Sequence, residues 1–261
     1  MYRLILIFLV ISNNAIAAIF GMSDDRVAAT SDFLYSSGTI FCDGGVRGSA
    51  THLSHPKIPD SLQYSIVLSA AHVLYEKDTY QPFKECVFRP QNKRLNSIGF
   101  YSLSNHKFKP ILEDKIKMSI DDLVFIALKR RLPGDGLKLD LASSNYKNLK
   151  LVGYNEDEDN ISVSSACQTF SSITFSSDRL LLHNCDAKSG ASGGSIIDGL
   201  TKKIIGVHGG TFYVGGKKNH SIMAKEYLTA DPERLVNEGR KIDQGVIVDL
   251  ISFILSLSKD S

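Results

Sequence analysis

Short apolar or alternating runs recur along the chain between turn signals: Gly38 to Cys42, Ser49 to Leu53, Tyr64 to Ser69, Leu123 to Leu128, Leu149 to Gly153, Ile161 to Thr169, Leu180 to Asn184, Ser195 to Ile197 and Ile204 to His208. Their β-branched and aromatic content and their spacing predict the strands of an all-β barrel or sandwich. The pattern changes at both ends. After Gly245, the residues Val246, Val248, Leu250, Ile251, Ile254, Leu255 and Leu257 run on without Pro or Gly and predict a helix over about 245–257. It contains Asp249 and is far short of a bilayer span, so it is read as docked on the core. At the start, Arg3 flanks the apolar stretch Leu4 to Ile11, and small residues follow at Ala15-Ile16-Ala17-Ala18. This is the form of a signal peptide over 1–18. Cleavage after Ala17 fits the small-x-small rule best, and cleavage after Ala18 would leave Ile19 as the new terminus.

At 261 residues the chain suffices for one large domain or two small barrels. Thirty Lys and Arg against 28 Asp and Glu leave a net charge of +2, spread without runs. No platform for nucleic acid or for an anionic membrane follows from it. No internal repeat or low-complexity linker is present. Export, to the periplasm or out of a bacterial cell, changes the reading of the four cysteines, because an oxidising compartment favours disulfides over thiol chemistry or metal binding. Of three possible pairings, Cys42 with Cys86 and Cys167 with Cys185 close moderate loops within one half of the chain each. Buried free thiols are the alternative.

Candidate chemistry starts at Gly190-Ala191-Ser192-Gly193-Gly194, a serine in a tight turn whose small neighbours let a substrate carbonyl approach. If Ser192 attacks, the N–H groups of Gly190 and Ser192 are placed as an oxyanion hole, each donor contributing about 3 kcal/mol. An ordinary β-turn has the same composition. A serine hydroxyl needs a histidine to take its proton and a carboxylate to fix that imidazole. His72 directly follows Ile66-Val67-Leu68-Ser69-Ala70-Ala71, an apolar strand ending in small residues. Asp122 heads the apolar run Leu123 to Leu128, where a carboxylate needs a partner, and an imidazole nitrogen would serve. Asp121 competes for that role. Read singly, His72 is also a structural histidine and Asp122 a solvated acid at a strand start.

Together the three stand in the chymotrypsin order. Ser69-Ala70-Ala71-His72 resembles the T-A-A-H motif of trypsin-like serine peptidases, Asp122-Leu123-Val124 their D-I-A motif, and the 190–194 turn their G-D-S-G-G. Asp24-Asp25-Arg26, Cys185-Asp186 and Ile205-Gly206-Val207-His208-Gly209-Gly210 are similar to bacterial members of the glutamyl endopeptidase branch. The resemblance runs from about Ile19 to the C-terminal helix. It implies two six-stranded antiparallel β-barrels, over about 32–130 and 145–230, with the triad His72, Asp122 and Ser192 between them. It further implies hydrolysis of protein or peptide substrates through an acyl-enzyme without cofactor or metal. A monomer is expected, with no nucleic acid or membrane partner once the signal is removed.

The chain departs from the trypsin pattern at Ala191, where zymogens carry an aspartate that pairs with the new terminus. For specificity, Asp186 with Ala187 lies at the pocket position that would select Lys or Arg, whereas His208 aligns with the histidine that helps glutamyl endopeptidases recognise an acidic side chain. A structural contact between Asp186 and His208 is a third reading. Two rival functions stand beside the peptidase. An α/β-hydrolase shares G-x-S-x-G but needs the order serine, acid, histidine, with only His208 and His220 downstream and no alternating helices. A catalytically silent, exported binding module would keep the barrels and recruit protein partners.

Overall fold

The computed structural model describes residues 19–20, 23–33, 35–59, 62–110, 114–143, 145–170, 177–213 and 235–259. The signal peptide expected over 1–18 and His220 lie outside them. In chain order come β1 (Val27–Ala28), β2 (Ser37–Cys42), β3 (Gly45–Ser54), β4 (Ile66–Ser69), β5 (Cys86–Pro90), β6 (Ile98–Leu103), α1 (Lys115–Asp121) and β7 (Val124–Leu128). They are followed by β8 (Leu137–Lys138), β9 (Leu149–Asn155), β10 (Asn160–Cys167), β11 (Leu180–His183), β12 (Ser195–Asp198), β13 (Ile204–Tyr213), β14 (Leu235–Lys241) and α2 (Gln244–Leu257).

The first sheet runs β2-β5-β6-β7-β4-β3 and closes through β2 with β3, making a six-stranded barrel, with β8 added in parallel at β3. Every residue of β4 and β7 is buried, which is why both read as unbroken apolar runs. Ile40, Ile66, Leu68, Phe88, Phe125, Ile126 and Leu128 are buried with no exposure, on both faces of the barrel wall. Each such side chain contributes about 1.5–3 kcal/mol on leaving water. Cys42 and Cys86 face each other in the β2–β5 ladder and are joined.

The second sheet has seven strands in the order β1-β10-β9-β12-β13-β14-β11. Just past β10, Thr169 bridges to His183 of β11, and the Phe170 N–H donates to the Leu182 carbonyl, so β9 to β14 come round on themselves. The seventh strand, β1, is an edge addition by the N-terminal segment, pairing Val27 with Val163 and Ala28 with Ser162. The second disulfide, Cys167 to Cys185, lies in this half. The sheet also reaches Lys241, beyond the boundary near 230 expected from sequence. The reason is chemical: β14 reads Leu-Val-Asn-Glu-Gly-Arg-Lys, yet Val236 through Arg240 are buried. Hydrogen bonds take the place of apolar alternation. Asn237 donates to the Cys185 carbonyl and accepts from Thr211, and Arg240 pairs with Asp243 at 2.7 Å.

That same Asp243 starts α2, accepting from the Val246 N–H in the N-cap position. Val246, Leu250, Phe253, Ile254 and Leu257 form its buried stripe at helical spacing. No helix among the described residues is long and apolar enough to cross a membrane.

The two sheets meet along β3. The Ser49 N–H donates to the Ser192 carbonyl at 2.7 Å, and Ser49 Oγ donates to the Gly190 carbonyl while accepting from the Tyr154 N–H. Ser195 Oγ donates to Thr51 Oγ1 at 2.7 Å. A short-range polar seam thus joins the serine turn to the first barrel.

Candidate active site

Strand β4 ends at Ser69, and Ala71–Leu74 then makes one tight 3-10 turn carrying His72. The small residues Ala70 and Ala71, both fully buried, let this turn lie against the barrel end. Helix α1, capped by Asp114 through the Lys117 N–H, delivers Asp122 as its C-cap immediately before β7. β4 and β7 pair side by side, Ser69 opposite Val124, so His72 and Asp122 converge from neighbouring strand ends.

The two make paired contacts. Asp122 Oδ1 accepts the backbone N–H of His72 at 2.8 Å, and Oδ2 stands 2.6 Å from the ring Nδ1. The Asp122 side chain is 7% exposed and that of His72 is 33% exposed, so the acid is sealed in while the far edge of the ring reaches solvent. Nδ1 carries the proton toward the carboxylate, which leaves Nε2 with a lone pair. Burial works to lower the imidazole's proton affinity, but the Asp122 charge and the hydrogen bond outweigh it, and the ring ends above its usual pKa. Asp121, the last residue of α1, has no such contact with His72 among the described residues.

Ser192 sits in a turn that needs glycine at both ends of its short core. Gly190 and Gly193 have φ of +93° and +83°, the left-handed region that other residues avoid. Gly193 also lies where a side chain would strike the Ser49 carbonyl, the Ser69 hydroxyl and the Ala70 backbone. Gly48 is hemmed in the same way, between the Val73 side chain and the Ser192 carbonyl. These close approaches bring the serine turn against the two segments that flank His72. Among the described residues, the Gly190 and Ser192 N–H groups make no hydrogen bond. The Ser192 hydroxyl itself donates to the Gly209 carbonyl at 3.0 Å and not to His72. A nucleophile and its base are often apart in a ligand-free state and come together on binding.

The residues expected to line a pocket are dispersed. Ala187 is fully buried. Asp186 is buried and turned toward the N-terminal segment, its two oxygens accepting the N–H groups of Phe20 at 2.6 Å and Asp25 at 2.9 Å. Burial pushes its pKa up to about 6, the two N–H donors pull it down, and the Asp25 charge pushes it up again. One residue after Asp25, Arg26 forks between Asp24 at 2.6 Å and Asp157 at 2.7 Å, fastening the same segment to the second sheet. His208 faces His183, with Nδ1 3.3 Å from the His183 Nε2, and does not touch Asp186. Both rings are neutral: burial, with the nearby His72, takes His208 down to about 4, and burial, with His208, takes His183 well below its usual value. His208 Nε2 is buried without a hydrogen-bond partner among the described residues.

Three groups near the site escape a reading by pattern. Ser49 orients the serine turn from the middle of a β-strand. His183 backs His208. Glu238 is 4% exposed next to the His72–Asp122 pair, in a strand with no apolar periodicity to mark it. A polar residue in a polar run gives no signal of burial.

No family model matches the chain, and no curated protein matches it. Solved structures do. A Glu endopeptidase in complex with MPD is 15% identical, with a TM-score of 0.60 over 91% of this chain and 100% of the other. A thermostable serine protease, AL20, from an extremophilic microorganism is also 15% identical, with a TM-score of 0.61 over 87% and 99%. A structure of HBP is 12% identical, with a TM-score of 0.60 over 90% and 97%. At these identities the likeness is one of architecture: two β-barrels and a C-terminal helix, the chymotrypsin fold on which these serine proteases are built.

Proposed function

We propose that this protein is an exported serine endopeptidase that hydrolyses peptide bonds through Ser192, His72 and Asp122. The observation that carries the reading is the double hold of Asp122 on His72, through ring and backbone together. It fixes the tautomer in which Nε2 is free to take the Ser192 proton as the hydroxyl attacks a carbonyl. The tetrahedral oxyanion is then met by the N–H groups of Gly190 and Ser192, and His72 returns its proton to the leaving amine. Water repeats the sequence on the acyl-enzyme. Export agrees with the leader-like first 18 residues and with two disulfides, which persist in an oxidising compartment.

For the pocket, Asp186 acts as the clasp of the N-terminal segment and not as a selector of Lys or Arg, because both its oxygens are already engaged by backbone N–H groups. His208, with Nε2 unpartnered, stands as the group that meets an acidic side chain. Cleavage of a peptide library tests this: preference for Glu or Asp supports it, and preference for Lys or Arg overturns it.

A silent binding module on the same fold draws on one observation, the Ser192 hydroxyl turned to Gly209. A fluorophosphonate probe separates the two. The processed enzyme labels at Ser192 and loses its hydrolysis in proportion, whereas a binding module never labels.

A further inference from the structure

The second barrel places an acid against the dyad of the first. Glu238, on β14, is buried, and its carboxyl occupies the space beside Gly209 that a side chain on residue 209 would fill. Gly209 is the residue whose carbonyl receives the Ser192 hydroxyl. From the first barrel, α1 packs against β14, and its buried Ser119, three residues before Asp122, is the α1 group that acts on the Glu238 carboxyl. The carboxyl oxygen Oε2 has no hydrogen-bond partner among the described residues. The ionisable groups that act on it are Asp122 and His72 across the seam, while on its own sheet His208, backed by His183, lies beside the Glu238 main chain. No Lys or Arg among the described residues compensates it, and a buried carboxylate in that setting is costly.

Resting on the peptidase reading above, we propose that Glu238 is a positioning residue of the His72–Asp122 pair: a buried carboxyl on β14 that braces α1, and with it Asp122, beside the serine turn. Burial and the Asp122 charge push its pKa up to about 8, with His72 and the Ser119 hydrogen bond opposing. Below that pH the carboxyl is neutral and does not repel Asp122. Above it, a second negative charge appears beside the dyad and draws the imidazole proton more tightly, since Glu238 acts on His72 in the same upward direction as Asp122 does. The two titrations are linked, so the steps belong to the cluster and not to one residue.

The test uses the full processed chain in three forms: wild type, Glu238→Gln, which keeps a neutral hydrogen-bonding group, and Glu238→Ala, which removes it. The ring signals of His72 are followed by NMR from pH 5 to 10, with circular dichroism to show that each form is folded. The wild type is expected to show a second step in the His72 signals near pH 8 that both variants lack. Identical single-step titrations in wild type and Glu238→Gln overturn the proposal. In parallel, the rate of fluorophosphonate labelling should fall about tenfold in Glu238→Ala and be restored by Gln, and equal rates in all three also overturn it. A wild type that never labels but shows the second step would refute the peptidase reading and leave the Glu238 linkage standing.

Discussion

The two barrels meet water differently in their interiors. The first is filled by Ile, Leu, Val and Phe, and among its buried groups the carboxylate Asp122 is matched at once by His72. The second buries Asn155, His183, Asp186, His208, Asn237, Glu238 and Arg240 beside its apolar residues, where the first buries mostly serine and threonine hydroxyls, with His52 and Asp122 as its ionisable groups. A dry wall holds a pair of groups in one geometry. A polar interior, in contrast, adapts its charge to pH and to what binds. In this molecule the first half carries the His72–Asp122 pair, and the second carries the Ser192 turn and the groups proposed to read the substrate.

Breaking the machinery that spans the two halves has the largest expected effect. Ser192→Ala removes the nucleophile and should lower hydrolysis by about six orders of magnitude with the fold intact, as read by peptide turnover and by circular dichroism. Unchanged turnover would rule the mechanism out. In the first half, Asp122→Asn should cost about four orders of magnitude, and Asp121→Asn very little. Because the His72 pKa is raised, activity in the wild type should fall away as pH drops through a midpoint above 6.5. A midpoint below 6.5 would mean that Asp122 does not stabilise the imidazolium.

Smaller effects compare the interiors themselves. Phe125→Ala in the first barrel opens a cavity at a fully buried site and should destabilise by about 3–5 kcal/mol. Asn237→Ala in the second leaves the Cys185 carbonyl and Thr211 without their partner, at about 1–3 kcal/mol. Denaturant titration of both gives the order, and a larger loss for Asn237 would reverse the contrast.

The pH dependence of stability is the gentlest probe. His208 has a folded pKa of about 4 against 6.5 unfolded, so the unfolded chain binds more protons between those values and stability falls as pH drops through that window. Glu238 runs the other way. Its folded pKa of about 8 against 4.5 means that the folded chain holds the extra proton, so stability falls as pH rises from 4.5 to 8. Between 4.5 and 6.5 the two contributions oppose each other, so melting temperatures should decline below and above that interval, and Glu238→Gln should lessen the decline above it and steepen the rise within it.

The same contrast explains what could be read from sequence. His72 and Asp122 are visible because each stands at the end of an unbroken apolar run, β4 or β7, where a polar group has to be explained. The C-terminal helix, found over Gln244–Leu257 and expected over 245–257, is legible from its apolar stripe. β14 is not, since Asn237, Glu238 and Arg240 are buried by hydrogen bonds that long-range pairing alone supplies. β5 and β6 are short and interrupted by Arg89, Pro90 and Ser102, and their strand character comes from their neighbours in the closed barrel. The binding of Asp186 by the Phe20 and Asp25 backbone spans more than 160 residues, and no local pattern encodes it.

Each disulfide fastens a barrel to itself, and neither crosses from one to the other. Between the halves run the row of hydroxyls and backbone groups around Ser49, Thr51, Ser192 and Ser195, a Gln91–Asn160 hydrogen bond, and an apolar cluster shared by residues of both. Mechanically, the molecule is two stapled shells held by a zip. A pulling force, or a mild denaturant, should part the zip before either shell yields, and the nucleophile would then leave its base while every strand remains paired. The proposed reactive centre is thus expected to fail before the barrels do.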